Sequence, residues 1–120
     1  MNSATLTTFA TLVALAGCER PTHNQYRLEA IRAEAMLLMA THPIDPAKGW
    51  LDLPKSELPP AIAGLKPAFV ILDRRRVAIV TKPFFDGGWG YEVPRSKSDL
   101  GMPIDCYSEP GKGVFWHGPC

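Results

Sequence analysis

Histidine, cysteine and carboxylate side chains are the groups in this sequence that could carry out chemistry. His117 and Cys120 are three residues apart, a spacing seen between zinc ligands, but a zinc site needs three or four ligands in close local pairs. His23 and His42 flank the first predicted helix and supply no such pair. Cys120 also has a competing use in a disulfide bond. We therefore predict no metal site and no cofactor.

Acid–base chemistry would have to come from Asp86, Glu92 or His117. Asp86 and Glu92 flank a glycine-rich turn and would act as a pair only if both side chains reached one cleft. The simpler interpretation is an aspartate in a turn and a glutamate on the outer face of a strand. No serine lies in the G-x-S-x-G pattern of hydrolase nucleophiles. We predict a non-enzymatic protein and keep a small hydrolase as the alternative.

A second set of residues could bind a ligand without reacting with it. Trp89 and Tyr91 follow a glycine-rich turn that lacks the lysine of a phosphate-binding loop. Aromatic rings there could stack on a sugar or a peptide, although such rings more often fill a core. The run of three arginines at 74–76 indicates either a solvated turn or a contact with lipid phosphates. The candidate binding surface comprises Trp89, Tyr91, Trp116, His117, Arg74, Arg75 and Arg76.

Length and charge restrict the kind of protein that can be expected. The chain has 120 residues, enough for one domain, and its composition of 46% hydrophobic and 21% charged residues is typical of a globular protein. The formal net charge of +1 supplies no electrostatic reason to expect a nucleic acid partner. We predict one small domain that binds no nucleic acid.

The N-terminal segment has the pattern of an export signal. Residues 1–17 contain no charged side chain, and an apolar stretch of about ten residues matches the hydrophobic region of a signal peptide. It is followed by Leu15-Ala16-Gly17-Cys18, which resembles the lipobox of bacterial lipoproteins. The resemblance implies cleavage between Gly17 and Cys18, with diacylglycerol on the Cys18 sulfur and an acyl chain on its new amino group. Lipid groups at both positions bind a membrane more stably than a single acyl chain does. The alternative is an ordinary buried N-terminal helix of a cytosolic protein.

The lipoprotein resemblance implies a location and a kind of partner. The predicted arrangement is a signal peptide at 1–17, a tether at 18–24 and one domain at 25–120. Glu19 after the cysteine implies retention at the outer membrane, facing the periplasm. The membrane is then the first partner, through the lipid on Cys18, and an unknown envelope protein or glycan is the second. A narrower alternative is an inhibitor or immunity-type protein.

The cysteine count is consistent with export. If Cys18 carries lipid, Cys106 and Cys120 remain, and an even pair suits an oxidising compartment. A bridge across so short a loop would contribute on the order of 3 kcal/mol. The alternative is two free thiols in a cytosolic protein.

Hydrophobic spacing predicts one helix and several short strands. Leu28, Ile31, Ala35 and Leu38 share one face of a helix over 22–40, with Asn24 or Thr22 as N-cap. One or two turns of helix are predicted from a cap and first turn at 56–60 to a C-cap at Gly64, and residues 94–112 are predicted to form a long loop. The strands are predicted at 50–53, 68–72, 77–81, 89–93 and 114–116. The predicted fold class is α+β, with one N-terminal helix packed on a small antiparallel sheet of three to five short strands.

Part of the domain also resembles small uncharacterised bacterial proteins. The shared features are Leu58-Pro59-Pro60, Leu65-Lys66-Pro67, two apolar strands and Gly88-Trp89-Gly90. This resemblance supports the predicted fold and implies no activity.

Overall fold

A computed structural model describes residues 19–85 and 87–120. The predicted signal peptide, the predicted lipidation site Cys18 and the turn residue Asp86 therefore lie outside the described residues. Within the described ranges, no helix is long and apolar enough to cross a membrane.

In the described part of the chain, the domain is built on one antiparallel sheet of six strands. The α+β prediction is confirmed, although the strand count exceeds the predicted three to five. The spatial order of the strands is β1-β2-β3-β4-β6-β5. The strands are β1 (Leu51–Asp52), β2 (Phe69–Leu72), β3 (Arg76–Phe84), β4 (Gly87–Pro94), β5 (Tyr107–Gly111) and β6 (Val114–His117).

Two strand predictions were wrong, one in its type of structure and one in its length. Strand β5 lies in the segment predicted as a loop, because its Ser-Glu-Pro-Gly composition has little intrinsic strand preference. Pro110 is tolerated there because β5 is an edge strand with a register shift between Ser108 and Gly111. Strand β3 continues to Phe84, beyond the predicted end at Thr81, because its last residues pair with β4, with Pro83 opposite Gly88.

The main helix, α1 (Gln25–Thr41), covers one face of the sheet. It begins three residues later than predicted, because Asn24 is the N-cap and its side chain accepts a hydrogen bond from the Arg27 N–H. Its buried face consists mainly of Leu28, Ile31, Ala35 and Leu38, as the spacing predicted. The helix passes so close to β5 that a β-carbon on Gly111 would lie 2.8 Å from the Leu28 side chain.

A carboxylate of α1 caps the short helix α2 (Pro60–Gly64). The two oxygens of Glu34 accept hydrogen bonds from the Ala61 and Ile62 N–H groups, each at 2.9 Å. Pro59 at the N-cap position offers no side-chain acceptor, so Glu34 replaces the missing cap from another element.

Replacing Glu34 with alanine is expected to lower the free energy of unfolding by about 1 to 2 kcal/mol, because two N–H groups at the start of α2 lose their acceptors. The measurement is urea denaturation followed by circular dichroism. Glu29→Ala, at an exposed position on the same helix, is the control. Equal stability of the two variants would contradict the capping role.

Candidate functional site

Glu92 is the centre of the most chemically capable cluster among the described residues. It lies in β4 between Tyr91 and Val93, which belong to the core beneath α1, so the Glu92 side chain points to the opposite face of the sheet. Residues 95–106 cover this second face, and only 6% of Glu92 is exposed. A buried carboxylate requires hydrogen bonds or opposite charges around it.

Both oxygens of Glu92 have partners. Oε1 accepts a hydrogen bond from the Gly101 N–H at 3.0 Å, and Oε2 accepts one from the Tyr107 hydroxyl at 2.8 Å. The Arg76 Nε lies 3.7 Å from Oε1, and the His117 Nε2 lies 3.7 Å from Oε2. Four groups that can donate a proton or carry positive charge therefore surround one carboxylate, and we call these five residues the Glu92 cluster.

The Glu92 cluster holds residues 95–106 against the sheet. Arg76 Nη1 donates to the Asp99 carbonyl at 3.0 Å, and the Tyr107 hydroxyl accepts from the Met102 N–H at 3.1 Å. Together with the Gly101 contact, these bonds fix the backbone of the covering segment at three points, Asp99, Gly101 and Met102. The segment forms only two short 3-10 turns, so side chains of the sheet supply most of what positions it.

A disulfide bond closes the end of the covering segment. Cys106 and Cys120 are bridged, with their Cα atoms 5.9 Å apart and a sequence separation of 14. The predicted pairing is confirmed. The bridge joins the residue before β5 to the segment after β6, so it secures the chain on both sides of His117.

His117 is held by the chain that follows it. Its Nδ1 lies 3.1 Å from the Gly118 carbonyl oxygen, and because a carbonyl can only accept, Nδ1 is the donor. This arrangement leaves Nε2 facing Glu92. The ring also packs edge-on against Tyr107, with the centroids 5.5 Å apart.

Two of the three predicted acid–base residues are thus brought together. Glu92 and His117 are neighbours, but their side chains are only 8% and 11% exposed, and Asp86 lies outside the described residues. General acid–base catalysis requires a group that can reach a proton on the substrate. Burial under residues 95–106 denies that access, so the geometry favours a structural role. Glu92 does lie on the outer face of its strand, as the simpler interpretation predicted, but residues 95–106 bury it there.

Tyr107 should make stability decrease at alkaline pH. Burial, followed by the hydrogen bond to Glu92 and the charge of that carboxylate, raises the pKa of Tyr107 well above its usual value. An unfolded chain releases the phenol proton near pH ~10, whereas the folded chain retains it. The free energy of unfolding is therefore fully retained below about pH 10 and is lost as pH rises toward the folded-state pKa.

The matching variant is Tyr107→Phe, tested by urea denaturation at a series of pH values from about 8 to 11. We expect it to be less stable than the parent at neutral pH and to lose less stability across the alkaline range. The free energy of unfolding of the variant should still decrease somewhat with rising pH, because burial also raises the pKa of Tyr91. Parallel pH profiles for parent and variant would contradict this assignment.

The candidate binding residues lie in separate places. Tyr91 and Trp116 are core residues that pack edge-on at 4.8 Å, and Trp89 is half-buried beside them. His117 and Arg76 belong to the Glu92 cluster on the other face of the sheet. These residues therefore do not form one continuous surface.

Arg74 and Arg75 remain exposed in the turn between β2 and β3. Asp73 orders this turn by accepting hydrogen bonds from the Arg75 and Arg76 N–H groups at 2.7 and 2.9 Å. The turn borders a groove of about 420 Å³ that is also lined by Ile44, Pro46 and Gly49. The two arginines are thus free of the core and accessible to a partner.

The described residues show no group of three or more histidine, cysteine or acidic side chains that could hold a metal ion. Comparisons of the chain with protein-family models, curated proteins and solved structures found no match.

Tyr107 was not predicted to belong to the site. Its segment was predicted to be a loop, and no pattern in the sequence connects it to Glu92. The available signal was a tyrosine directly after Cys106, since a bridged cysteine positions its neighbour.

Proposed function

We propose that this protein is a bacterial envelope lipoprotein whose domain is held at the membrane by lipid on Cys18 and binds an envelope component without catalysis. Residues 1–17 are its cleaved signal peptide, and the lipid anchors it at the outer membrane, facing the periplasm. The observation that carries the proposal is the Cys106–Cys120 bridge. It uses two of the three cysteines and leaves the one at the end of Leu15-Ala16-Gly17-Cys18.

The bridge supports an exported protein because disulfide bonds persist in oxidising compartments and are rare in the cytosol. It also suits a small domain, in which the apolar core alone contributes limited stability. Lipid on Cys18 would place Glu19, where the described residues begin, next to the membrane surface.

The burial and hydrogen bonding of the Glu92 cluster favour binding over catalysis. Its acid–base groups are buried and engaged in holding residues 95–106. A small hydrolase built on Glu92 and His117 would need that segment to open, and no contact within the described residues favours an open form.

We place partner binding at the exposed Arg74 and Arg75. Glu19 lines the same surface depression as Thr81, which lies in β3. Thr81 is six residues after Arg75, a distance of about 20 Å along an extended strand. The two arginines therefore lie at the end of the strand remote from the tether, facing the periplasm. Guanidinium groups there suit an acidic protein or an anionic glycan. An inhibitor or immunity-type role is the narrower form of this proposal.

The experiment is expression of the full-length chain in a bacterium supplied with labelled palmitate, followed by membrane fractionation. The parent should incorporate label and sediment with the membranes. Cys18→Ser should abolish both the labelling and the membrane association. The matched control, Cys106→Ser with Cys120→Ser, carries the same substitution at the other cysteines and should remain labelled. Label retained in Cys18→Ser would refute the proposed anchor.

A further inference from the structure

The hairpin of β3 and β4 projects beyond the rest of the sheet. Pairing of β2 with β3 ends at Val80, and pairing of β6 with β4 ends at Gly90. Beyond those residues, 82–84 and 87–89 pair only with each other. They form a two-stranded projection with which no other strand of the described residues pairs.

The end of this projection carries exposed aromatic rings. Phe85 is 95% exposed and Phe84 is 47% exposed, and their ring centroids are 4.8 Å apart. Phe84 also packs edge-on against Trp89 at 5.7 Å, so the rings form a continuous aromatic edge. Phe85 has a φ of 35°, in the left-handed region that a bulky residue rarely adopts. The backbone conformation therefore disfavours a bulky side chain, and the Phe85 ring contacts Phe84 while staying almost fully exposed.

The projection lies at the end of the domain where the chain leads to Cys18. Glu19 and Arg20 line a surface depression together with Thr81 and Tyr91, and the Thr22 N–H donates to the Tyr91 hydroxyl at 2.8 Å. Thr81 is four residues before Phe85, about 13 Å along an extended strand. The aromatic rings and the start of the tether therefore share one end of the molecule.

We propose that Phe84 and Phe85 form a second contact with the lipid bilayer, inserting into its interfacial region beside the lipidated Cys18. This inference rests on the proposed function. Phenylalanine side chains are stable at the boundary between headgroups and acyl chains, where exposed apolar area is removed from water. The two contacts together would orient the domain, with Arg74 and Arg75 directed away from the membrane.

Charge at this end of the domain is mixed, so the rings carry the contact. Lys82 lies near the projection, with Nζ 5.3 Å from the centre of the Trp89 ring, and Arg20 is exposed. Glu19 is acidic, and Asp86 follows Phe85 in the sequence. Arg27 lines the same depression as Glu19 and Arg20 and adds a further cation. Because the contact depends on the apolar rings, we expect it to form on uncharged as well as anionic lipid.

The test uses the full-length lipidated protein, purified from membranes and reconstituted in vesicles of phosphatidylethanolamine and phosphatidylglycerol with brominated acyl chains. Phe85→Trp places an indole at the tip, and the parent protein supplies the background from its own tryptophans. Leu37→Trp is the matched control, because Leu37 is 63% exposed and lies about 18 Å along α1 from Gln25, away from the tether. Intact mass confirms lipid on each sample.

We expect the fluorescence of the tryptophan introduced by Phe85→Trp to be shifted to the blue and mostly quenched by brominated lipid. The fluorescence of the tryptophan introduced by Leu37→Trp should not be quenched. The same result is expected in vesicles of phosphatidylcholine alone. A lipidated, vesicle-bound Phe85→Trp protein that is not quenched overturns the membrane contact and leaves the proposed anchor intact. A protein without lipid that does not float with vesicles overturns both.

Discussion

Replacing Glu92 with alanine is expected to lower the free energy of unfolding by about 3 kcal/mol. The change leaves the Gly101 N–H and the Tyr107 hydroxyl without their acceptor and removes the negative charge between Arg76 and His117. Removing one partner of a buried polar network is strongly destabilising, because the remaining groups stay buried without hydrogen bonds. The lost stability exceeds what the intact network would contribute in comparison with apolar side chains of similar size. Urea denaturation measures the effect.

Local exposure should accompany this loss of stability. Residues 95–106 contain Arg95 and Lys97, so trypsin cleavage in that segment reports its opening under native conditions. We expect Glu92→Ala to be cut there much faster than the parent. The control is Glu57→Ala, whose side chain is 55% exposed and lies 3.8 Å from His42. Equal stability and equal cleavage in the two variants would contradict the role of Glu92 in holding the segment.

The second large effect is expected from the disulfide bond. Replacing Cys106 and Cys120 together with serine should lower the free energy of unfolding by about 3 kcal/mol, because the unfolded chain regains the freedom of the loop that the bridge closes. The comparison is between the oxidised parent and the double variant in urea. Stability unchanged by the double substitution would contradict the bridge.

The effects of Glu92→Ala and of the double serine variant should not add. Both act on residues 95–106, one at Gly101 and the other at Cys106. Once either restraint is lost, the segment is partly released. The second substitution then removes less stabilising free energy than it would from the parent. The combined variant should therefore lose less stability than the two separate losses together. Strict additivity would indicate that the bridge and the Glu92 cluster stabilise different parts of the domain.

Most of the fold was predictable because its signals are local. The buried face of α1 follows from residues three and four apart, and Pro43 ends the helix just after Thr41. Strands β2 and β3 are apolar runs on either side of a charged turn. Strand β5 was not predictable, because an edge strand with a proline and a register shift is specified by its partner β6 more than by its own residues.

The candidate site was less predictable than the fold. Alternation along β4 correctly places Glu92 on the face opposite Tyr91, but it does not reveal that residues 95–106 return to cover that face. The covering segment has no periodic pattern, and side-chain bonds from Arg76 and Tyr107 position it. Such long-range contacts leave no trace in residue spacing. Only the cysteine count indicated that this segment is restrained, and the bridge confirms that restraint.

The most direct test of the lipoprotein proposal is the intact mass of the full-length gene product isolated from bacterial membranes, measured with and without reduction. We predict a mass lacking residues 1–17, increased by a diacylglyceryl group and an acyl chain on Cys18, and shifted by the two hydrogens of one disulfide on reduction. An unmodified chain that retains Met1 and is recovered in the soluble fraction would contradict the anchor and the proposed location at the membrane.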